Sequence, residues 1–121
     1  MGAPVVHFEI IGRDAARLRE FYSKAFDWKI NANNPIGYGL VPTQREKNSI
    51  GGGIAADDKG GKGFVTFYVE VPDVQAALDK IESLGGKTVT PPTTVPGMVT
   101  YAHFVDPEGH LIGLVQSGQP E

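Results

Sequence analysis

The chain has 121 residues, of which 40% are hydrophobic and 21% charged, enough for one globular domain with an ordinary core. Its net charge is only −3, and no Lys/Arg cluster offers the repeated phosphate contacts that nucleic acid requires. There is no cysteine, which excludes disulfides, thiolate nucleophiles and thiolate metal sites, and no apolar run approaches the roughly 18 residues of a membrane span.

The opening Met1-Gly2-Ala3-Pro4 lacks the basic stretch and apolar core of a secretory signal, so cytoplasmic residence is the default expectation. Residues 5–11 are short and β-prone, and His7 and Glu9 alternate with Phe8 and Ile10, which puts two polar groups on one strand face. Asp14 is an N-cap for a helix over 15–26, where Leu18, Phe21, Tyr22 and Ala25 form one apolar stripe. Trp28 to Ile30 starts a further strand, Asn33-Asn34-Pro35 is a turn, and residues 38–42 are again strand. A polar loop over 43–49 precedes a strand over 50–56 that carries Gly51, Gly52 and Gly53. Residues 57–63 are a charged, Gly-rich connector.

The pattern then repeats. Residues 64–71 are strongly β-prone, Asp73 is a cap, and Val74, Ala77, Leu78 and Ile81 have helical spacing. Gly85-Gly86 supplies the glycine expected past a helix C-terminus. Lys87 to Val89 is strand-like, and residues 91–97 are too proline-dense for a central strand and are read as a loop. Residues 98–105 and 110–116 are strands joined by the turn Asp106-Pro107-Glu108-Gly109. A β-α-β-β-β order thus appears twice, with modules at about 5–56 and 64–116, which makes an α+β domain by internal duplication.

In these features the chain resembles the vicinal oxygen chelate superfamily, which includes glyoxalase I, extradiol dioxygenases, and the fosfomycin- and bleomycin-resistance proteins. The resemblance rests on His7 through Asp14 to Phe21-Tyr22, on Gly85-Gly86, and on the closing run Phe104-Val105-Asp106-Pro107-Glu108-Gly109-His110-Leu111-Ile112-Gly113-Leu114. It implies that each module gives half of an open, curved sheet or barrel around a pocket, often at a homodimer interface. In metal-using members, four inward side chains hold a divalent ion such as Zn, Fe, Mn or Ni. His7 falls on the first of those positions. The second falls at Gly51 to Gly53, the third at Phe64 or Thr66, and the fourth at Gly113, none of which offers a good ligand. The familiar metal centre is therefore expected to be absent, and no cofactor is expected. A non-standard site from His7, Glu9 and His103 is the minor alternative.

The candidate ligand-binding residues are His7, Glu9, Thr66, Tyr68, Tyr101, His103, Gly53 and Gly113. An inward carboxylate at Glu9 needs His7, a water or a ligand cation beside it. His7 and Glu9 together are the candidate acid and base, since histidine titrates near neutrality. The alternative is a hydrogen-bonded pair that only closes the barrel floor. Glu70 shares a strand face with Tyr68 and Thr66, and His103 shares one with Tyr101. Trp28, Phe26 and Tyr38 could wall a planar ligand, although Phe26 fits helix packing better. His110 beside its turn is expected to be exposed. Glycines at Gly53 and Gly113 are expected to leave room for a ligand or a facing chain.

Three functions follow as expectations. The first is a metal-independent small-molecule binder, akin to the bleomycin-binding members. The second is a glyoxalase-like lyase or isomerase that uses His7 and Glu9. The third is a structural or regulatory dimer with a barrel filled by side chains. Without ligands to hold an ion that polarises oxygen, the standard metal-assisted reactions are disfavoured.

Overall fold

A computed structural model describes residues 2–34, 36–42, 49–57 and 61–118. The polar loop expected at 43–49 lies outside them except for Ser49, as do Pro35 of the expected turn and residues 58–60 of the connector. The described elements are β1 (Val5–Gly12), α1 (Ala15–Phe26), β2 (Gly39–Val41), β3 (Gly51–Ala56), β4 (Phe64–Val71), α2 (Val74–Ser83), β5 (Lys87–Val95), β6 (Val99–Val105) and β7 (Leu111–Gln116). The α+β class and the duplicated helix-and-strand order are as the sequence predicts. No described helix is long and apolar enough to cross a membrane.

The chain forms two compact units, one of residues 7–66 and one of residues 1–6 with 67–121. In the first, β3 lies parallel to β1 and antiparallel to β2, in the order β2-β3-β1. In the second, β7 lies parallel to β4 and antiparallel to β6, and β6 pairs antiparallel with β5, in the order β4-β7-β6-β5. Each unit therefore has the same plan: strand, helical crossover, and a final strand beside the first. In neither does the sheet close on itself. The N-terminal residues belong to the second unit, where the Pro4 carbonyl accepts from the Glu70 amide at 2.9 Å.

Both helices start where a carboxylate accepts from an amide three residues on. Asp14 takes the Arg17 N–H and Asp73 the Ala76 N–H, each at 3.0 Å. Gly85 at φ 102° ends the second helical segment, in a left-handed conformation that a side chain would strain.

The two helices pack unequally. Val74 and Leu78 of α2 join Ala102 and Leu114 in a buried cluster, with Val69, Val71, Ala77, Ile81 and Phe104 packed around it. Burial of each large aliphatic side chain there contributes about 1.5–3 kcal/mol. Helix α1 has no fully buried residue. Its half-buried arc is Ala15, Leu18, Arg19, Tyr22 and Ser23, so it is rotated away from the expected stripe. Phe21 and Phe26 lie outside that arc at 60% and 59% exposure, which corrects the placing of Phe21 on the buried stripe; Phe26, although exposed and not core, rests its ring on Tyr22 and Trp28, with centroids 6.2 and 5.4 Å away. On the inner side of the helix, Tyr22 stacks on Trp28 at 5.6 Å, and Trp28 meets Phe8 of β1 with ring centroids 5.5 Å apart.

Two further expectations change. Residues 91–95 are strand, not loop, because β5 stands at the end of its sheet and its register shifts between Thr88 and Thr90 and again between Thr90 and Thr93. An end strand with bulges tolerates the missing N–H groups of Pro91 and Pro92. Trp28 to Ile30 are not a strand. The pairing that β5 makes with β6 in the second unit is reduced in the first to one bridge, Asn31 with Leu40.

Candidate functional site

Alternation on β1 separates its two faces. Phe8 faces Trp28, and a Cβ on Gly52 opposite it would overlap the Phe8 ring. His7 and Glu9 take the other face, where Glu9 is in register with Gly53 of β3. Glu9 is 8% exposed, so its carboxyl group needs an internal partner.

Tyr38 is one such partner. Its hydroxyl donates to Glu9 Oε2 at 2.7 Å and stands 3.0 Å from His7 Nε2. The rings of Tyr38 and His7 are stacked, 6.1 Å apart at 19°. Local sequence dictates where Tyr38 sits. The Asn34 amide donates to the Tyr38 carbonyl at 2.6 Å and accepts from the Tyr38 amide at 2.9 Å, so one side chain takes both peptide groups as a neighbouring strand would. The Tyr38 ring then crosses the sheet over Gly53, and a Cβ there would overlap the end of the ring. Burial pushes the His7 pKa below its ordinary value, and the nearby Glu9 opposes this only in part.

A related cluster lies in the second unit. Tyr68 on β4 is 5% exposed, and its ring lies over Gly113 of β7, the residue with which it is in register. Its hydroxyl is 2.7 Å from His103 Nε2, and His103 Nδ1 is 3.1 Å from the Thr90 hydroxyl on β5. Tyr101 meets the His103 ring edge-on with centroids 5.5 Å apart. They share the face of β6 opposite to Ala102, whose side is that of the buried cluster around α2.

The structure thus gathers His7 and Glu9 in one cluster, and Tyr68, Tyr101 and His103 in another. Thr66 is buried, at 6% exposure, on the Tyr68 face of β4. The room expected at Gly53 and Gly113 is taken by tyrosine rings of the chain itself. Trp28 does not wall the His7 face, since it packs with Phe8 and Tyr22 on the other side of β1. His110 is exposed and pairs with Asp106 at 2.9 Å, which holds the Asp106 carboxyl below its usual range through hydrogen bonds to the His110 backbone and side chain. Among the described residues, no group of three or more His, Asp and Glu side chains is placed to hold a metal ion.

Sequence reasoning placed Tyr38 in an aromatic wall and missed it as a partner of Glu9. The Asn34–Tyr38 spacing was the available signal, because a short polar side chain in a turn binds backbone groups a few residues away.

With this geometry, comparison with known proteins is decisive about family. The model of the Glyoxalase/Bleomycin resistance protein/Dioxygenase superfamily matches residues 5–114. The chain belongs to that superfamily. Among curated relatives, it is 28% identical over 111 residues to a glyoxylase-like domain-containing protein of Didymella fabae, covering 84% of each chain. It is 28% identical to a probable lactoylglutathione lyase of Vibrio cholerae, over 95% of this chain and 91% of the relative. Solved structures share the fold. A methylmalonyl-CoA epimerase variant of Streptomyces coelicolor, bound to 2-nitronate-propionyl-CoA, superposes with a TM-score of 0.65 at 18% identity, over 96% of this chain and 98% of the other. A methylmalonyl-CoA epimerase in complex with methylmalonyl-CoA and NH4+ gives 0.66 at 17%, over 98% and 99%.

Proposed function

We propose that this chain is a small-molecule-binding member of the superfamily that works without the family's four-ligand metal centre. The Glu9–Tyr38–His7 chain carries the reading. At the position where the resemblance puts a first metal ligand, the His7 ring nitrogen is engaged by a tyrosine hydroxyl that also serves the neighbouring carboxylate. Two other expected ligand positions are glycines lying under tyrosine rings, so the donor set does not fit a four-ligand ion. What remains is a polar group of three side chains, the kind of group that small-molecule sites use to orient a ligand.

Elemental analysis and a ligand screen test this together. The expected result is purified protein without stoichiometric divalent metal, stabilised in a thermal-shift screen by one class of small molecule. Ligand at a hundred times its Kd adds about 2.7 kcal/mol. A stoichiometric ion that resists dialysis overturns the reading.

A second reading is an acid–base lyase or isomerase. It is favoured by one observation, that a half-buried imidazole with a lowered pKa is joined to a carboxylate through one hydroxyl. The relatives with lyase and epimerase names are consistent with it. Turnover that His7→Ala or Glu9→Ala abolishes in a folded protein decides for the enzyme; ligand binding without turnover decides for the binder.

A further inference from the structure

We propose that Tyr38 is the positioning residue of this site: it holds His7 as the Nε2–H tautomer and links that proton to Glu9. The proposal rests on the reading of His7 and Glu9 as the working pair of a small-molecule site, but its test needs no ligand.

The protons follow from counting. A tyrosine hydroxyl has one proton to give and an oxygen that accepts. Tyr38 stands 2.7 Å from Glu9 Oε2 and 3.0 Å from His7 Nε2. A hydrogen bond to a carboxylate is charge-assisted and the stronger of the two, so the hydroxyl proton goes to Glu9. The proton in the other contact then belongs to His7 Nε2. A neutral imidazole has only one N–H, so Nδ1 carries the lone pair.

Three independent features keep Tyr38 where this requires. The Asn34 side chain takes both of its peptide groups, Gly53 leaves the path of the ring clear, and the ring stacks on His7. None of the three is needed for the strand pairing itself. Their common effect is to deliver one hydroxyl between an imidazole and a carboxylate that share a strand face two residues apart.

Heteronuclear NMR of protein carrying isotope-labelled histidine reads the tautomer directly. His7 is assigned by the signal lost in His7→Ala, and spectra are taken about one pH unit above the ordinary histidine value of ~6.5. The expected result is Nε2–H at His7 in the unaltered protein, and a shift to a mixture of tautomers in Tyr38→Phe. Gly53→Ala, which pushes on the same ring from below, should reproduce that shift. His7 found as Nδ1–H, or an unchanged Nε2–H in folded Tyr38→Phe, overturns the proposal. If Tyr38→Phe does not fold, the tautomer in the unaltered protein decides alone. A protein with Nε2–H that binds nothing in the ligand screen removes the functional reading and leaves this one standing; a binder with Nδ1–H does the reverse.

Discussion

The Tyr38 ring lies across the backbone of Gly53 with no side chain between them, and its hydroxyl thereby reaches from the β2 side of the sheet to His7 and Glu9 on β1. The second unit uses the same device in the opposite sense: Tyr68 starts on the first strand, crosses Gly113 and reaches His103 on β6. In each, a glycine on the middle strand lets one aromatic ring connect polar groups on the strands beside it. A methyl group on that strand would close the crossing.

The two glycines should respond differently to that methyl group. At Gly113 the overlap reaches Cγ of Tyr68, the base of a buried ring that cannot swing away. At Gly53 it meets only the far end of the half-buried Tyr38. Gly113→Ala is therefore expected to cost about 1–3 kcal/mol in urea unfolding. Gly53→Ala is expected to act through the two hydrogen bonds of the Tyr38 hydroxyl that it displaces, roughly 0.5–1.5 kcal/mol each and more where the partner is charged, so a Tyr38→Ala background should absorb its loss. A loss that persists in that background would show that the methyl group is resisted by something other than the Tyr38 ring.

Tyr68→Phe keeps the ring over Gly113 and removes only the 2.7 Å hydrogen bond to His103. A loss of about 1–2 kcal/mol is expected, from the bond and the stranded polar atom. Thermal melts of the single variant, and of Tyr68→Phe with His103→Phe, check it. A double variant no more stable than the sum of the single losses would argue against a direct interaction.

The lowered pKa of His7 has a consequence for stability. Burial is its main cause and favours the neutral imidazole in the folded protein, so between the folded and unfolded pKa values the unfolded chain binds more protons. The stabilising contribution is fully present above about pH 6.5, the ordinary histidine value, and is lost as pH falls through that value toward the lower folded one. In urea titrations across this range, the unaltered protein should lose stability relative to His7→Gln as pH falls below about 6.5. A pH dependence identical in both would dismiss His7 as its source.

Helices α1 and α2 should differ in their tolerance of truncation. Leu78→Ala empties a fully buried position in the cluster with Val74, Ala102 and Leu114, and should cost about 2–5 kcal/mol. Phe21→Ala removes a ring that is mostly in water, and its cost should stay below about 1 kcal/mol. Denaturation midpoints of the two variants distinguish the buried stripe from the exposed one. Similar losses would mean that Phe21 is covered in solution.

Much of the fold was legible because it depends on short-range chemistry. The start of α1 at Ala15 and of α2 at Val74, the extent of β4, the glycine that follows α2 and the exposure of His110 are decided by caps, alternation and turn residues within a few positions. The misplaced elements are those whose fate depends on a neighbour. Pro91 and Pro92 are strand because β5 is an end strand. Phe21 is exposed because Tyr22, not Phe21, is the aromatic residue of α1 that reaches the Trp28 and Phe8 rings.

The site divides along the same line. Sequence alone determined that His7 and Glu9 share one strand face, because alternation along β1 is local, and that Gly53 and Gly113 offer no side chain, because that is residue identity. It could not determine what partners Glu9. Tyr38 lies 29 residues away and reaches it only through the pairing of β3 with β1, the clamp of Asn34 on its backbone and the open path over Gly53. Read along the chain, Gly53 and Gly113 were space for a ligand. Tertiary structure decided that the space belongs to the protein's own tyrosines, because a ring that can reach a glycine on the next strand and satisfy a buried polar group there fills it on folding.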